Sequence, residues 1–289
     1  MIIGHEKQRA LLDKFISGVN IHHSFLFVGP ESVGKKTIAQ SFGCRLVNEK
    51  RNSTWHIFSG IDSDLFMIEP EIIEKKKKQI IKDISVENIR DMRKTFSLAP
   101  DKKAKLLVIN DAHRMTVSAQ NALLKTLEEP KEKSFIILVT HAPDDLLDTV
   151  RSRCFLMQFD LVSNNELQKM FLSEKYINDA HGRPGHLFRL HHDAEFRKTV
   201  EYARTQLQGL FQSKLYERVQ LAEELSKKDE QYITIFFTVW IYRIWKAAHN
   251  TKKYNLLKVA GAIEDMLQLM RRTNVNKQLV LEELLINIV

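Results

Sequence analysis

Cysteine is scarce: the 289 residues contain two, Cys44 and Cys154. Neither has a second cysteine at metal-ligand spacing, so no zinc site is suggested. So little cysteine fits a reducing compartment. Glycine and proline are also sparse, at ten and six residues, and no internal repeat or low-complexity tract stands out apart from the lysines at 75–78. Long hydrophobic runs are missing too. The most apolar window, ITIFFTVWIYRIW at 233–245, is too short to cross a bilayer and carries Arg243, so it is expected to be a buried helix. The opening residues, MIIGHEKQRALLDKF, lack the apolar core of a secretory signal.

Lysine and arginine number 44 against 36 acidic residues, a formal net charge of +8. That balance permits contact with a polyanion. No interleaving of aromatic and basic residues marks a strong nucleic-acid binder. With 44% hydrophobic and 28% charged residues the composition is that of a globular protein, long enough for two or three domains.

The most informative stretch is KLLVINDAHRMTVSAQNALLKTLEEP, residues 105–130. KLLVI reads as a short buried strand. Asn110 and Asp111 stand at its carboxyl end, where parallel α/β sheets bind ligands. SAQNALLKTLEEP reads as a helix, with Ala119, Ala122, Leu123 and Leu127 on one side and Pro130 to stop it. A strand, a polar tip and a helix make half of a nucleotide site.

The other half lies earlier. IHHSFLFVG, 21–29, reads as a strand running into GPESVGKKT. This string fits the phosphate loop G-x-x-x-x-G-K-[ST] at Gly29, Gly34 and Lys35. The glycines let backbone N–H groups wrap phosphate oxygens, the following helix adds its dipole, and Lys35 is placed to reach the phosphates. The last position departs from the pattern. A hydroxyl that would bind Mg²⁺ is replaced by Lys36, with Thr37 one residue late. Lys36 is expected to bring an ammonium near the metal position.

Other segments fall into the same alternation. Residues 5–18 read as a helix with Leu11, Leu12, Phe15 and Ile16 on one side; 64–70 as a strand; 84–100 as a helix with Ile89, Met92 and Phe96 on one face; 134–143 and 155–160 as strands. The run EKKKKQ at 74–79 reads as a solvated loop. From Leu161 the pattern turns helical to the end, with Ser226 and Asp229 at capping-box spacing.

DAHRM followed by AQNALLKTLEEP resembles the Walker B segment and next helix of the AAA+ clamp-loader subunits of DNA replication. TVRSRC at 149–154 resembles the serine–arginine–cysteine motif of that family, and NVNKQLVLEELL at 274–285 its C-terminal collar. The resemblance implies an α/β fold. It consists of a RecA-like P-loop AAA+ domain with a parallel sheet at 1–160, a small helical lid at 161–195 and an all-α collar at 196–289. It implies Lys35, Lys36, Thr37 and Asn110 in the nucleotide site, and Thr140 at the sensor position that monitors the γ-phosphate. It assigns Asp111 to the catalytic Walker B place and Arg153 to an arginine finger reaching a neighbouring subunit's ATP site. Family members often carry a four-cysteine zinc module near 44–63; with Cys44 alone, and His56 and Asp62 unable to complete it, that region is expected to be a surface loop.

Two departures touch one coordination sphere. The metal-binding Asp of Walker B is Asn110 and the catalytic Glu is Asp111, while the P-loop hydroxyl is Lys36. Mg²⁺ prefers carboxylate to a neutral amide. The sensor-2 arginine place, three residues after Gly182, is Gly185, with Arg183 nearby. The expectation is a non-hydrolysing stator of a clamp loader, with no resident metal and at most weakly held ATP or ADP. It would sit in a cytoplasmic hetero-pentamer with motor subunits of the gamma/tau type and a delta subunit, acting on a sliding clamp and primer-template DNA, with no membrane. The alternatives are an active gamma/tau-type ATPase and a stand-alone nucleic-acid-binding scaffold.

Overall fold

The structure is a computed structural model that describes residues 2–16, 22–47, 64–75, 78–101, 103–169, 176–210, 212–273 and 275–288. The chain divides into two compact units, Met1–Leu187 and Phe188–Val289.

In the first unit helix α1 (Glu6–Ile16) precedes strand β1 (Ser24–Val28) and helix α2 (Lys35–Val47). Strand β2 (Leu65–Ile68) is followed by a hairpin, β3 (Glu71–Lys75) and β4 (Lys78–Lys82), and by helix α3 (Val86–Phe96). Strand β5 (Lys105–Ile109), helix α4 (Val117–Glu128), strand β6 (Ser134–Thr140), the short helix α5 (Asp148–Arg151) and strand β7 (Phe155–Gln158) complete the alternation. The five strands β2-β5-β6-β1-β7 form one sheet, parallel throughout. Strands joined through helices pair in this way because a crossover returns the chain in the same direction.

Period-two side chains divide the sheet between two helical layers. Phe25, Phe27, Leu106, Val108, Ile137 and Val139 pack with Leu12, Phe15, Ile38 and Phe42 from α1 and α2. Leu26, Val28, Leu107, Ile109, Ile136 and Leu138 face α3 and α4 through Ile89, Met92, Phe96, Ala119, Leu123 and Leu127. The expected apolar faces of α1, α3 and α4 are thus the buried ones. Helix α3 is started by a capping box in which Ser85 accepts from Asn88 N and Asn88 Oδ1 accepts from Ser85 N at 2.9 Å.

The expected loop at 74–79 is corrected. β3 and β4 pair antiparallel there, with Ile72 opposite Ile81 and Ile73 opposite Ile80. The β-branched pairs Ile72–Ile73 and Ile80–Ile81, flanked by polar residues, favour extended backbone and a two-stranded ribbon. Most of the 44–63 region, including His56 and Asp62, lies outside the described residues, as do 170–175 in the expected lid. The described lid residues form α6 (Asn164–Gln168), α7 (Ile177–Ala180) and the start of α8 (Pro184–His192).

The second unit is helical: α9 (Ala194–Leu210), α10 (Leu215–Ser226), α11 (Glu230–Thr251), α12 (Leu256–Arg272) and α13 (Lys277–Asn287). The apolar window read from sequence is the centre of α11. Trp240 there is fully buried against Phe236 and Phe237 and donates its indole N–H to Ala203 O at 2.7 Å. The cap of α11 is Asp229, which accepts from Tyr232 N at 2.7 Å. Ser226 instead donates to Glu223 O at the end of α10, so the pair read as a capping box does not form one. Among the described residues no helix is long and apolar enough to cross a membrane.

Candidate functional site

The order β2-β5-β6-β1 brings the carboxyl ends of β1, β5 and β6 to one edge, with β6 in the middle. The phosphate loop leaves β1, Asn110 and Asp111 follow β5, and Thr140 ends β6. Such an edge is where open α/β sheets bind ligands.

The loop from Gly29 to Gly34 depends on its glycines. Gly29 has φ +151°, and a Cβ there would come within 2.0 Å of Phe159 O. Gly34 has φ +106° and Ser32 has φ 61°. Lys35 opens α2 and is buried, its Nζ donating to Gly29 O and Pro30 O at 2.6 Å each. Burial pushes its ammonium down to about 8. Glu31 and Asp111 pull the other way, and the Arg183 guanidinium adds to the lowering. His5, at the start of the chain, braces the loop through Nε2 and Val33 O, 3.0 Å apart. Gly185, at the start of α8, donates to Ser32 O at 2.9 Å. A Cβ at 185 would lie 3.0 Å from Ser32, so backbone approach takes the place expected for a sensor arginine.

Lys36 is paired with an acidic neighbour. Its Nζ lies 2.5 Å from Glu69 Oε2, just beyond β2, both side chains being about half exposed. Its charge still lowers the Asp111 carboxyl, whose net shift is upward because burial and Glu31 dominate. Thr37 sits half-buried in the next position of α2. Asn110 donates through Nδ2 to Asp111 Oδ2 at 3.0 Å. Asp111 adopts the left-handed conformation, φ 50°, ψ 48°. The loop therefore fits a phosphate group, with a buried ammonium at a helix N-terminus. The Mg²⁺ position does not fit: one ligand place is an ammonium tied to Glu69, and the other is an amide tied to Asp111.

Thr140 is buried, its Oγ1 accepting from Ala142 N at 3.0 Å and lying 3.2 Å from His113 Nδ1. His113 belongs to the 3-10 turn Ala112–Arg114 that follows Asp111. Its ring packs edge-on to His141, centroids 4.2 Å apart, and His141 Nε2 is 3.1 Å from Glu31 Oε1. Sequence reasoning missed Glu31, Glu69, His113 and His141. Their one local signal is adjacency to strand ends, which means nothing until strand order is known.

Arg153 lies outside this cluster, two residues after α5. Nε donates to Glu128 Oε1 at 2.7 Å, and Nη1 donates to Thr149 O at 2.9 Å. Buried Gln120 positions the segment before it. Its Nε2 donates to Met115 O and Asp145 O at 3.2 Å each, and its Oε1 accepts from Leu147 N at 2.8 Å. Cys154 is half-buried against apolar side chains, and this burial pushes its thiol up to about 12.

A glycine-lysine loop after β1, an Asn–Asp pair after β5 and a buried Thr at the end of β6, on a parallel sheet between helical layers, define an α/β AAA+ protein. A delta' subunit of DNA polymerase III from Pseudomonas aeruginosa is 30% identical over 157 residues, 51% of this chain and 46% of that one. The tau subunit from Bacillus subtilis is 32% identical over 170 residues, 55% of this chain and 28% of that one. A solved gamma subunit-related protein of Thermotoga maritima has a TM-score of 0.48 at 19% identity, covering 96% of this chain and 97% of that one. The chain belongs to the family described as DNA polymerase III, delta subunit, whose profile matches residues 4–163. It spans about half the length of the curated delta' relatives it matches.

Proposed function

We propose that this chain is the delta-prime-type stator of a bacterial DNA polymerase III clamp loader. It hydrolyses no ATP itself, presents Arg153 to a motor subunit's site and helps place the sliding clamp on primed DNA. The observation that carries this reading is the engagement of both Mg²⁺ ligand places elsewhere, Lys36 with Glu69 and Asn110 with Asp111. Phosphoryl transfer relies on the metal bridging β- and γ-oxygens, so a loop that cradles phosphate without the metal binds rather than cleaves. What this chain's residues do is hold: Lys35 and the α2 N-terminus engage phosphate, giving weak ATP or ADP occupancy, and α8 rests on the loop. In this reading residues 1–160 are the AAA+ domain, 161–195 the lid and 196–289 the collar that joins the cytoplasmic hetero-pentamer.

The similarity to tau favours an active motor as the second reading. One preparation separates them. Isolated chain with ATP and Mg²⁺ is expected to release no phosphate above background, and co-purification with gamma/tau and delta subunits is expected to yield one copy per complex. Robust turnover abolished by Lys35→Ala would establish the motor and overturn the stator.

A further inference from the structure

Asp111, His113 and His141 each offer a ligand atom, and these atoms lie within 4.8 Å of one another. The three come from two neighbouring strand ends. Asp111 and His113 follow β5, and His141 follows β6, which pairs with β5 in parallel register. We propose that this cluster is a site for a nitrogen-preferring divalent metal of the zinc class, distinct from the nucleotide's Mg²⁺ position at Lys36 and Asn110.

The donor set points to the metal class. Two imidazoles and a carboxylate suit zinc and its neighbours in the first transition row, whereas Mg²⁺ takes oxygen ligands. Three protein ligands with one open position is a common zinc arrangement. A tetrahedral zinc with bonds of about 2.0–2.1 Å needs donors roughly 3.3 Å apart, so the side chains must close by at most about 1.5 Å. These three are half-buried, at the rim of the crevice, where such rotations are open to them.

Two further observations support the cluster. Metal-binding histidines are commonly oriented by a partner on the ring, and here Thr140 Oγ1 lies by His113 Nδ1 and Glu31 Oε1 by His141 Nε2. Asp111 sits in the left-handed conformation, and Asn110 Nδ2 donates to one of its carboxylate oxygens at 3.0 Å, which fixes where that carboxylate points. A bound metal would tie the ends of β5 and β6 to the phosphate loop through Glu31, fixing the crevice without nucleotide.

The test uses full-length protein stripped with chelator and then titrated with Zn²⁺ alone, Co²⁺ alone or Mg²⁺ alone. One Zn²⁺ per chain is expected after gel filtration, with visible Co²⁺ absorption of a low-coordination site and a thermal midpoint raised by roughly 5 °C at saturating Zn²⁺. Mg²⁺ is expected to do none of this. His141→Gln, and the double variant Asp111→Asn with His141→Gln, are expected to weaken Zn²⁺ binding at least about tenfold. His191→Gln with His192→Gln, a histidine pair of the second unit, is expected to leave it unchanged. Should Asp111→Asn fail to fold, His141→Gln decides alone. Absence of stoichiometric Zn²⁺, or Zn²⁺ binding that His141→Gln leaves undiminished, overturns the site. Neither result bears on whether the chain joins a clamp loader.

Discussion

Replacing Arg153 with alanine separates an arginine that holds the fold from one that acts on a neighbour. In the structure its guanidinium is 2.5 Å from Glu128 Oε1, with side chains 36% and 48% exposed, and it donates once to Thr149 O. An ion pair this open to water contributes at most about 1 kcal/mol, and the Glu128 carboxylate left behind is hydrated. Arg153→Ala is therefore expected to lower the thermal midpoint of the isolated chain by no more than about 3 °C. A guanidinium placed at a transferring phosphoryl group is a different matter, because it offsets charge that appears only in the transition state. Such fingers are worth about 10³–10⁵ in rate, or roughly 4–7 kcal/mol of barrier. Breaking the Glu128 pair to reach a partner costs far less than that. The two roles thus differ several-fold in energy and appear in different measurements. The assay is ATP turnover and clamp loading by a complex reconstituted with wild-type or Arg153→Ala chain, at matched assembly by gel filtration. In the proposed stator reading turnover is expected to fall in part, with other subunits supplying fingers to the remaining sites. Arg151→Ala is the internal comparison: Arg151 is paired with Asp144 at 3.0 Å and with Asp148, and its loss is expected to change turnover less than about twofold. Arg153→Ala complexes that load clamps at the wild-type rate would refute the finger.

Gln120→Leu removes three hydrogen bonds at a buried site and leaves Leu147 N without its acceptor; a loss of about 2–3 kcal/mol is expected in denaturant unfolding of the chain. Unchanged stability would mean that water replaces the amide. Lys35 sets a pH dependence. Its folded-state value is depressed to about 8, so between about 8 and the ordinary lysine value the unfolded chain holds the extra proton, and stability rises with pH. The cost of keeping Lys35 charged is fully present below that window, and its relief amounts to at most about 3 kcal/mol. Cys154 works oppositely at high pH, so the measurement is the difference between wild type and Lys35→Met across pH 7–10.5; parallel curves would show that Lys35 titrates normally.

Much of the fold was legible because periodicity is local. Continuous apolar runs in SFLFV and KLLVI, the buried stripe of Ile89, Met92 and Phe96, and the stop at Pro130 each depend on neighbours within a few residues. So did the chemistry lost at Lys36 and Asn110, since a side chain's ligand capacity belongs to the residue type. The lysine run misled because charge suggests solvent, yet an exposed ribbon is solvated too; the backbone pairing of Lys78–Lys82 with Glu71–Lys75 was the undetermined part.

Strand order was beyond sequence pattern, because every parallel strand of a two-layered sheet carries the same apolar signature. Only the tertiary structure placed β6 between β5 and β1, and with that the partners of the site were decided. Lys36 finds Glu69 at a separation of 33 residues, Thr140 finds His113 at 27, and Gly185 meets Ser32 by close backbone contact. The residue types, and hence the missing Mg²⁺ ligands, came from sequence alone. Where Lys36 turns instead, and which histidines gather around Asp111, followed from packing, which brings distant strand ends to one edge.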